Sequence, residues 1–212
     1  LNQSLSPIFN RSMALALVGA SIPLGMTLIF NVVYFRIDSL ILTLTRSTAE
    51  VGIYGLAYKF FELPLVLPTF FMNSVFAIMV QSDNVLRKFK KSFWILSTGS
   101  LVILAVLWSV APLVSLIKED FAASAHVLRV LSLSLPFFFL TSLMMWTIVA
   151  LKKQKALLVI YGTSMIATIL ADILFIPAYG IFAAAWITVA SEALVLIVSG
   201  IFLSRYFQKQ NA

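Results

Sequence analysis

Charged side chains interrupt several of the most apolar stretches of this sequence. The stretch VVYFRIDSLIL, for example, carries an arginine and an aspartate among residues that a lipid bilayer solvates well. A charge at the centre of a bilayer costs about 3 kcal/mol, so such a group normally faces a partner, a cavity or water. The residues with this property are candidates for binding a charged substrate or a coupling ion: Arg36, Asp38, Lys59, Glu62, Asp172 and Glu192.

The second charged stretch has the spacing of a helix face. Lys59 and Glu62 are three residues apart, so they share one face of a helix, and Tyr58 extends that face. Two interpretations of this region remain open. The charged groups line the path of a substrate or an ion, or they form structural ion pairs, Asp38 with Lys59 or Lys59 with Glu62.

Helical spacing also groups the polar residues of the first stretch. Asn31, Tyr34 and Asp38 fall on one stripe of a helix, whereas Arg36 points to roughly the opposite side from Asp38. Together with the lysine of the next helix, these residues predict a polar and partly cationic wall between two adjacent helices.

The two carboxylates near the end of the chain lead to different expectations. Glu192 lies deep within its apolar run, and it is a candidate proton or cation site or, alternatively, a hydrogen-bonding group in helix packing. Asp172 lies close to Pro177, so we expect it at the membrane interface and in contact with solvent. We expect the single histidine, His126, at the surface.

The composition explains why these charges matter. The chain of 212 residues is 61% hydrophobic and 11% charged, with a mean hydropathy of +1.04, whereas a soluble domain carries roughly a quarter charged residues. Apolar runs of the length that crosses a bilayer, about 20 residues, recur along the whole chain. They predict an all-α membrane protein that forms one six-helix transmembrane bundle over residues 1–212, with spans at 12–45, 50–81, 92–117, 126–151, 156–177 and 181–204.

The basic residues between the runs predict the orientation of the bundle. Because lysine and arginine concentrate on the cytoplasmic side of membrane proteins, both termini are predicted to be cytoplasmic. Arg46 and Lys118 lie on the other side, and Arg129 fits either that rim or the fourth helix. Ten of the 15 lysines and arginines lie on the predicted cytoplasmic side: Arg11, Arg87, Lys88, Lys90, Lys91, Lys152, Lys153, Lys155, Arg205 and Lys209.

Missing motifs narrow the function further. The sequence has no cysteine, one histidine and no P-loop, which argues against zinc sites and ATP hydrolysis by that route. The short connections leave no room for a soluble catalytic domain. We therefore expect a transporter rather than an enzyme, with no metal, no cofactor and no nucleic-acid partner. A membrane-embedded glycosyltransferase or polymerase is the alternative from another class, although it normally needs larger outer loops.

Two motifs resemble a known family. YFRIDSLIL, followed by VGIYGLAYKFFE, resembles the pattern Y-x-R-x-D-x-x-[IL]-L … V-G-x-Y-x-x-A-x-[KR]-x-x-E of polysaccharide flippases. IPAYGIFAAAW, followed by SE, is similar to a run near the end of those proteins. Their superfamily also contains lipid II flippases and MATE multidrug exporters. The chain departs from the pattern at Ala183, where glycine is usual, and at Asp172, where asparagine is common.

The resemblance implies a function and a missing half. Such flippases move isoprenoid-pyrophosphate-linked oligosaccharides across the cytoplasmic membrane by alternating access, and they consist of two six-helix bundles. This chain resembles the C-terminal bundle and begins with leucine, so we expect either a preceding bundle in a longer protein or a second copy as its partner. The nearest rival is an ion-coupled MATE-like exporter of small organic cations.

The candidate residues then acquire roles. A diphosphate needs cations, which Arg36 and Lys59 supply, and the lipid tail stays in the membrane lipid. The sugar would bind Asn31, Tyr34 and Tyr58, and a coupling ion or a structural ion pair would use Asp38, Glu62 or Glu192.

Overall fold

A computed structural model describes residues 11–82, 84–116 and 122–211 of the chain. These residues are almost entirely helical and contain no β-strand. The predicted connection at Lys118, Glu119 and Asp120 lies outside them. The α-helices of the described part are α1 (Arg11–Thr45), α2 (Thr48–Glu62), α3 (Val66–Val80), α4 (Val85–Val110), α5 (Ala122–Ser132), α6 (Leu135–Ala150) and α7 (Gln154–Asn211).

Polar residues between the apolar runs set where helices begin. The Ser47 side chain accepts a hydrogen bond from the backbone N–H of Glu50 at the start of α2. The Asn84 side chain does the same for the N–H of Arg87 at the start of α4, at 2.9 Å. Each of these side chains satisfies a donor that the first helical turn leaves free, so the polar breaks in the sequence become helix ends.

Prolines mark several of the breaks within the long apolar runs. Pro64 lies in a short 3-10 helix, Leu63–Leu65, that separates α2 from α3. Pro112 lies in a second 3-10 helix, Ala111–Leu116, that follows α4. Pro136 is in the first turn of α6, which is bent by 41° from α5. Because proline lacks an N–H, it is tolerated where a helix begins and disturbs one that continues.

The last helix folds back on itself at a single residue. Gly180 has φ 64° and ψ −144°, which is not helical, within α7. The hydroxyl of Thr168 nevertheless donates to Ser191, 23 residues later, at 2.8 Å. A straight helix would separate them by about 34 Å. The first arm of α7 (residues 154–179) and the second arm (residues 181–211) therefore lie side by side.

The helices have the length and composition of membrane spans. In the part of the chain that the structure describes, four segments qualify, or five if the bent pair α5–α6 forms one span: Arg11–Thr45, Thr48–Val80, Val85–Val114 and Gln154–Lys209, with residues 122–150 as the fifth. The prediction of an all-α protein with several helices long and apolar enough to cross a membrane is confirmed. The predicted spans 156–177 and 181–204 leave residues 178–180 as a loop. That loop is wrong in one respect, because only Gly180 departs from helical geometry there.

The interior of the bundle is closely packed, whereas its outer surface is apolar. Tyr54, Phe61 and Leu128 are almost fully buried in the largest group of core residues. Large apolar side chains such as Leu44 and Trp94 lie exposed on the outside, at 75% and 71% of their surface. Apolar residues on both the inside and the outside are what a lipid environment requires of a helix bundle.

Candidate functional site

Three of the predicted site residues meet on one face of the bundle. The guanidinium of Arg36 lies 2.6 Å from one oxygen of Glu62, and the ammonium of Lys59 lies 3.5 Å from the other. The side chains of Arg36 and Lys59 are 54% and 76% exposed. One carboxylate is therefore shared by two cations, and the cluster keeps a net positive charge. Of the two ion pairs predicted for this hairpin, Lys59 with Glu62 is present and Asp38 with Lys59 is not.

Tyr58 supports this cluster from beneath. Its ring lies 5.6 Å below the guanidinium carbon of Arg36, which is cation–π geometry. Its hydroxyl is buried and donates to the carbonyl of Phe35 at 2.7 Å. Tyr58 was predicted to bind sugar from the same face as Lys59. In this structure it instead packs inward and positions Arg36.

The cluster borders a depression that runs into the bundle. An outer part of about 970 Å³ is lined by Lys59 and Glu62. An inner part of about 640 Å³ is lined by Asn31 and Glu192. The two parts share Phe35, Leu65 and Thr69, so they form one surface. We call this surface the charged depression; it borders the 3-10 break between α2 and α3.

Glu192 is held at the inner end of the charged depression. Only 2% of its surface is exposed. Tyr34 donates a hydrogen bond to one of its oxygens at 2.6 Å, and Thr141 donates to the other at 3.0 Å. Tyr34 was predicted to bind sugar, but its hydroxyl is committed to Glu192 here. Helices α1, α6 and the second arm of α7 thus meet at one carboxylate.

Asp38 lies on the opposite side of α1 from Arg36, as the helical spacing predicts. Only 4% of it is exposed. The hydroxyl of Tyr54 donates to one of its oxygens, and the backbone N–H of Ser39 donates to the other at 2.6 Å. Asp38 therefore belongs to the interior rather than to the cationic face.

A second carboxylate shares this interior space with Asp38. A small cavity with room for about one water molecule, which we call the interior cavity, is lined by both Asp38 and Asp172. Hydroxyl groups of Thr168, Thr188 and Ser191 border the same cavity. Neither carboxylate oxygen of Asp172 has a hydrogen-bond partner among the described residues. A buried charged group without a partner is costly, so Asp172 needs a proton, a water molecule or a small cation at this position.

The prediction that Asp172 is in contact with solvent is wrong. The residue has no exposed surface. Its distance in sequence from Pro177 was misleading, because the fold-back at Gly180 covers the first arm of α7 with the second. The sequence feature that could have indicated this burial is the pair Thr168 and Asp172. These residues are four apart and so share a helix face.

The chemistry of these groups limits what they can hold. Within residues 11–82, 84–116 and 122–211, no group of three or more His, Cys, Asp or Glu side chains is placed to bind a metal ion. The interior cavity offers carboxylate and hydroxyl oxygens only. Such donors suit a small hard cation or a proton. The charged depression is lined by Lys59, and Arg36 lies at its border through the ion pair with Glu62, so it suits an anionic group.

Comparison with known proteins identifies no relative. No protein-family model, no curated protein and no solved structure matches this chain.

Proposed function

We propose that this chain is one half of a transporter that flips isoprenoid-pyrophosphate-linked oligosaccharides across the cell membrane for polysaccharide export. The observation that carries the proposal is the charged depression. A face that holds Arg36, Lys59 and Glu62 and leads to a buried Glu192 is costly in a membrane protein unless it binds something polar. The sequence motifs of the polysaccharide flippases include the same residues.

The proposed topology has six spans and two cytoplasmic termini. The spans are α1, α2 with α3, α4 with the 3-10 helix after it, α5 with α6, and the two arms of α7. This topology is supported by the 41° bend between α5 and α6 and by the hydrogen bond that joins the two arms. The lysines and arginines that follow α3 and α6 give the orientation, because they belong on the cytoplasmic side.

The substrate would enter through the charged depression. Its diphosphate would displace Glu62 from Arg36 and Lys59, because a diphosphate brings more negative charge than one carboxylate. Asn31, which lines the inner part, would hydrogen-bond the sugar. Tyr34 and Tyr58 would act by positioning Glu192 and Arg36, since both hydroxyls already donate to partners of the protein itself.

The energy for transport would come from the gradient of an ion that binds in the interior. Asp38 and Asp172 offer two carboxylates and the hydroxyl groups around them to a cation or a proton. Glu192 joins three helices and offers a second place for a proton. Because Asp38 lies on α1 and Asp172 and Glu192 lie on the two arms of α7, charging or neutralising them would change how the arms pack against α1.

The charged depression is open on one side, and we expect a second bundle to cover that side. Alternating access needs two bodies that rock about a central site. The partner would be a preceding bundle of a longer protein or a second copy of this chain.

The proposal is tested by alanine substitutions in cells whose polysaccharide export depends on this protein. A hydrogen bond to a charged group contributes about 1.5–3 kcal/mol. We therefore expect Arg36→Ala and Lys59→Ala to lower export roughly tenfold or more at unchanged protein levels. Arg87→Ala is the matched control, because it removes an exposed basic side chain outside the charged depression. Unchanged export in both depression variants would remove these residues from the site.

An exporter of small organic cations is the second candidate. The observation in its favour is that acidic groups, Glu62 and Glu192, line both parts of the charged depression. Transport of a small organic cation and of a lipid-linked oligosaccharide into proteoliposomes separates the two functions. Movement of the organic cation alone would replace the flippase proposal.

A further inference from the structure

A groove between the two arms of α7 has a different chemistry from the charged depression. It encloses about 1040 Å³ near the ends of the arms. Its inner wall is apolar, and three polar or charged side chains, Arg205, Tyr206 and Lys209, close its mouth. We call it the basic groove. Its apolar wall consists of Ala156, Val159, Ile160, Val198, Ile201 and Phe202.

The turn between α6 and α7 adds lysines beside this mouth. Lys152 has φ 57°, and its N–H donates to the carbonyl of Val149 at 2.9 Å. The N–H of Lys153 donates to the carbonyl of Ile148 at 3.0 Å, so the turn is fixed. The ammonium of Lys153 lies 5.7 Å from the ring centre of Tyr206 at the groove mouth. The turn therefore holds positive charge against the groove.

A second depression continues the basic groove on the side of α1. It encloses about 1130 Å³, and Lys152, Lys153 and Lys155 line it. It shares Ala156 and Phe202 with the basic groove. The basic side chains thus surround one end of a continuous apolar surface.

Among the described residues, no acidic side chain forms an ion pair with these charges. The sequence contains no Asp or Glu from 121 to 171 or from 193 to 212. The ion pairs found among the described residues all involve Glu50 or Glu62, which lie elsewhere. Five basic side chains at the edge of a membrane protein without acidic partners attract phosphate groups of anionic lipids.

We propose that the basic groove is a binding site for an anionic phospholipid of the surrounding membrane. The phosphate lies against Arg205, Lys209 and the lysines of the turn, and one acyl chain lies between the arms of α7. An amphiphile fits because the groove combines an apolar wall with a cationic mouth. The basic groove shares no lining residue with the charged depression, so this lipid is not the transported substrate.

The test measures which lipid the purified chain retains. The chain is equilibrated in detergent with phosphatidylglycerol or phosphatidylcholine, and bound lipid is counted by native mass spectrometry. Each basic residue near a membrane surface contributes about 1 kcal/mol to binding an anionic lipid, which is roughly fivefold in affinity. We expect the double variant R205Q/K209Q to bind phosphatidylglycerol roughly 25-fold more weakly, and R205K/K209R to bind it as the unchanged chain does.

A matched pair of lysines controls for general electrostatic attraction. Lys90 and Lys91 are exposed and lie at the same end of the bundle, where Phe89 packs 6.2 Å from Phe207. They do not line the basic groove. The variant K90Q/K91Q removes the same charge, so we expect it to retain phosphatidylglycerol. A loss equal to that of R205Q/K209Q would overturn the proposal.

The apolar part of the site needs a separate variant. Val159 is 63% exposed on the groove wall, so Val159→Trp fills the groove without disturbing the core. We expect this variant to retain less phosphatidylglycerol while all basic residues remain. Unchanged retention would overturn the proposal, as would equal retention of phosphatidylcholine. Inorganic phosphate alone should not compete at millimolar concentration; effective competition would show a free-anion site instead of a lipid site.

Discussion

The interior cavity and the charged depression both contain charged groups, but the fold fixes them to very different degrees. In the interior cavity, Asp38 is buried and receives hydrogen bonds from Tyr54 and Ser39. In the charged depression, Arg36 and Lys59 are more than half exposed and share one carboxylate. The first arrangement is held by surrounding helices, and the second is held by its own ion pairs and by the ring of Tyr58 beneath Arg36.

This difference separates two tasks in the transporter half that we propose. Long exposed cations can change partners at little cost, because an exposed ion pair contributes about 0–1 kcal/mol. Removing a hydrogen-bond partner from a buried carboxylate costs far more free energy. The charged depression is therefore suited to exchanging ligands, and the interior cavity is suited to sensing whether a cation or a proton is present.

The largest expected effect comes from removing one hydroxyl in the interior. Tyr54→Phe keeps the ring but takes a hydrogen-bond donor away from the buried carboxylate of Asp38. Leaving a buried charged group short of a partner costs more than a neutral one, so we expect a loss of about 3 kcal/mol. The measurement is the free energy of unfolding in mixed micelles, obtained by titration with sodium dodecyl sulfate.

Tyr58→Phe is the matched control for this change. Tyr58 lies one helical turn away and is also buried, but its hydroxyl donates to the backbone carbonyl of Phe35. An ordinary hydrogen bond contributes about 1 kcal/mol, so its loss should be the smaller of the two. Equal losses in the two variants would mean that the hydrogen bond to the buried carboxylate of Asp38 contributes no more than a hydrogen bond to a backbone carbonyl.

The next effect concerns the residue that brings the two arms of α7 together around the interior cavity. Gly180 has φ 64°, and a Cβ there would lie 2.7 Å from Nη2 of Arg46. Arg46 is itself held by Glu50 at 2.6 Å and donates to the carbonyl of Pro177. Backbone strain of this kind costs about 1–3 kcal/mol. We therefore expect Gly180→Ala to lower the free energy of unfolding by about 2 kcal/mol.

Gly99 provides the comparison for that substitution. It lies within α4, and a Cβ there would meet nothing within 4 Å. Since alanine is favoured over glycine inside a helix by about 0.5–1 kcal/mol, Gly99→Ala should stabilise the protein. If Gly180→Ala also stabilised it, the fold-back at Gly180 would not be what holds the cavity together.

The helices were largely predictable from the sequence because residues close in sequence determine where each helix begins and ends. Ser47 and Asn84 stand at the ends of apolar runs, and each caps the helix that follows it. The ion pair of Lys59 with Glu62 was predictable for the same reason, because residues three apart on a helix are neighbours. Spacing along the sequence thus predicts the long helices and one ion pair of the charged depression.

The interior cavity was not predictable in the same way. Asp38 and Asp172 meet there only because the second arm of α7 folds back at Gly180, and neither spacing nor composition states which faces then come together. The hydrogen-bond partners of Tyr34 and Tyr58 were not predictable for a related reason. Each tyrosine can present its hydroxyl to a ligand or to the protein, and only the packing decides.

The smallest expected effect on stability is at Lys59, and it tests whether the charged depression meets water. Because the side chain is 76% exposed, Lys59→Cys should change the free energy of unfolding by at most about 0.5 kcal/mol. A residue that faced acyl chains would behave differently. Removing its charge would stabilise the protein, since a charge in lipid costs about 3 kcal/mol.

The same variant reports hydration directly, because the chain contains no other cysteine. A hydrophilic maleimide reacts with a thiol only where water reaches it, so we expect Lys59→Cys to be labelled in intact membranes. Trp94→Cys is the matched position, since Trp94 is 71% exposed on the apolar outside of α4 and should resist labelling. Equal resistance at both positions would mean that Lys59 faces lipid. The charged depression would then lose its role as a substrate site, whereas the interior cavity would keep its own.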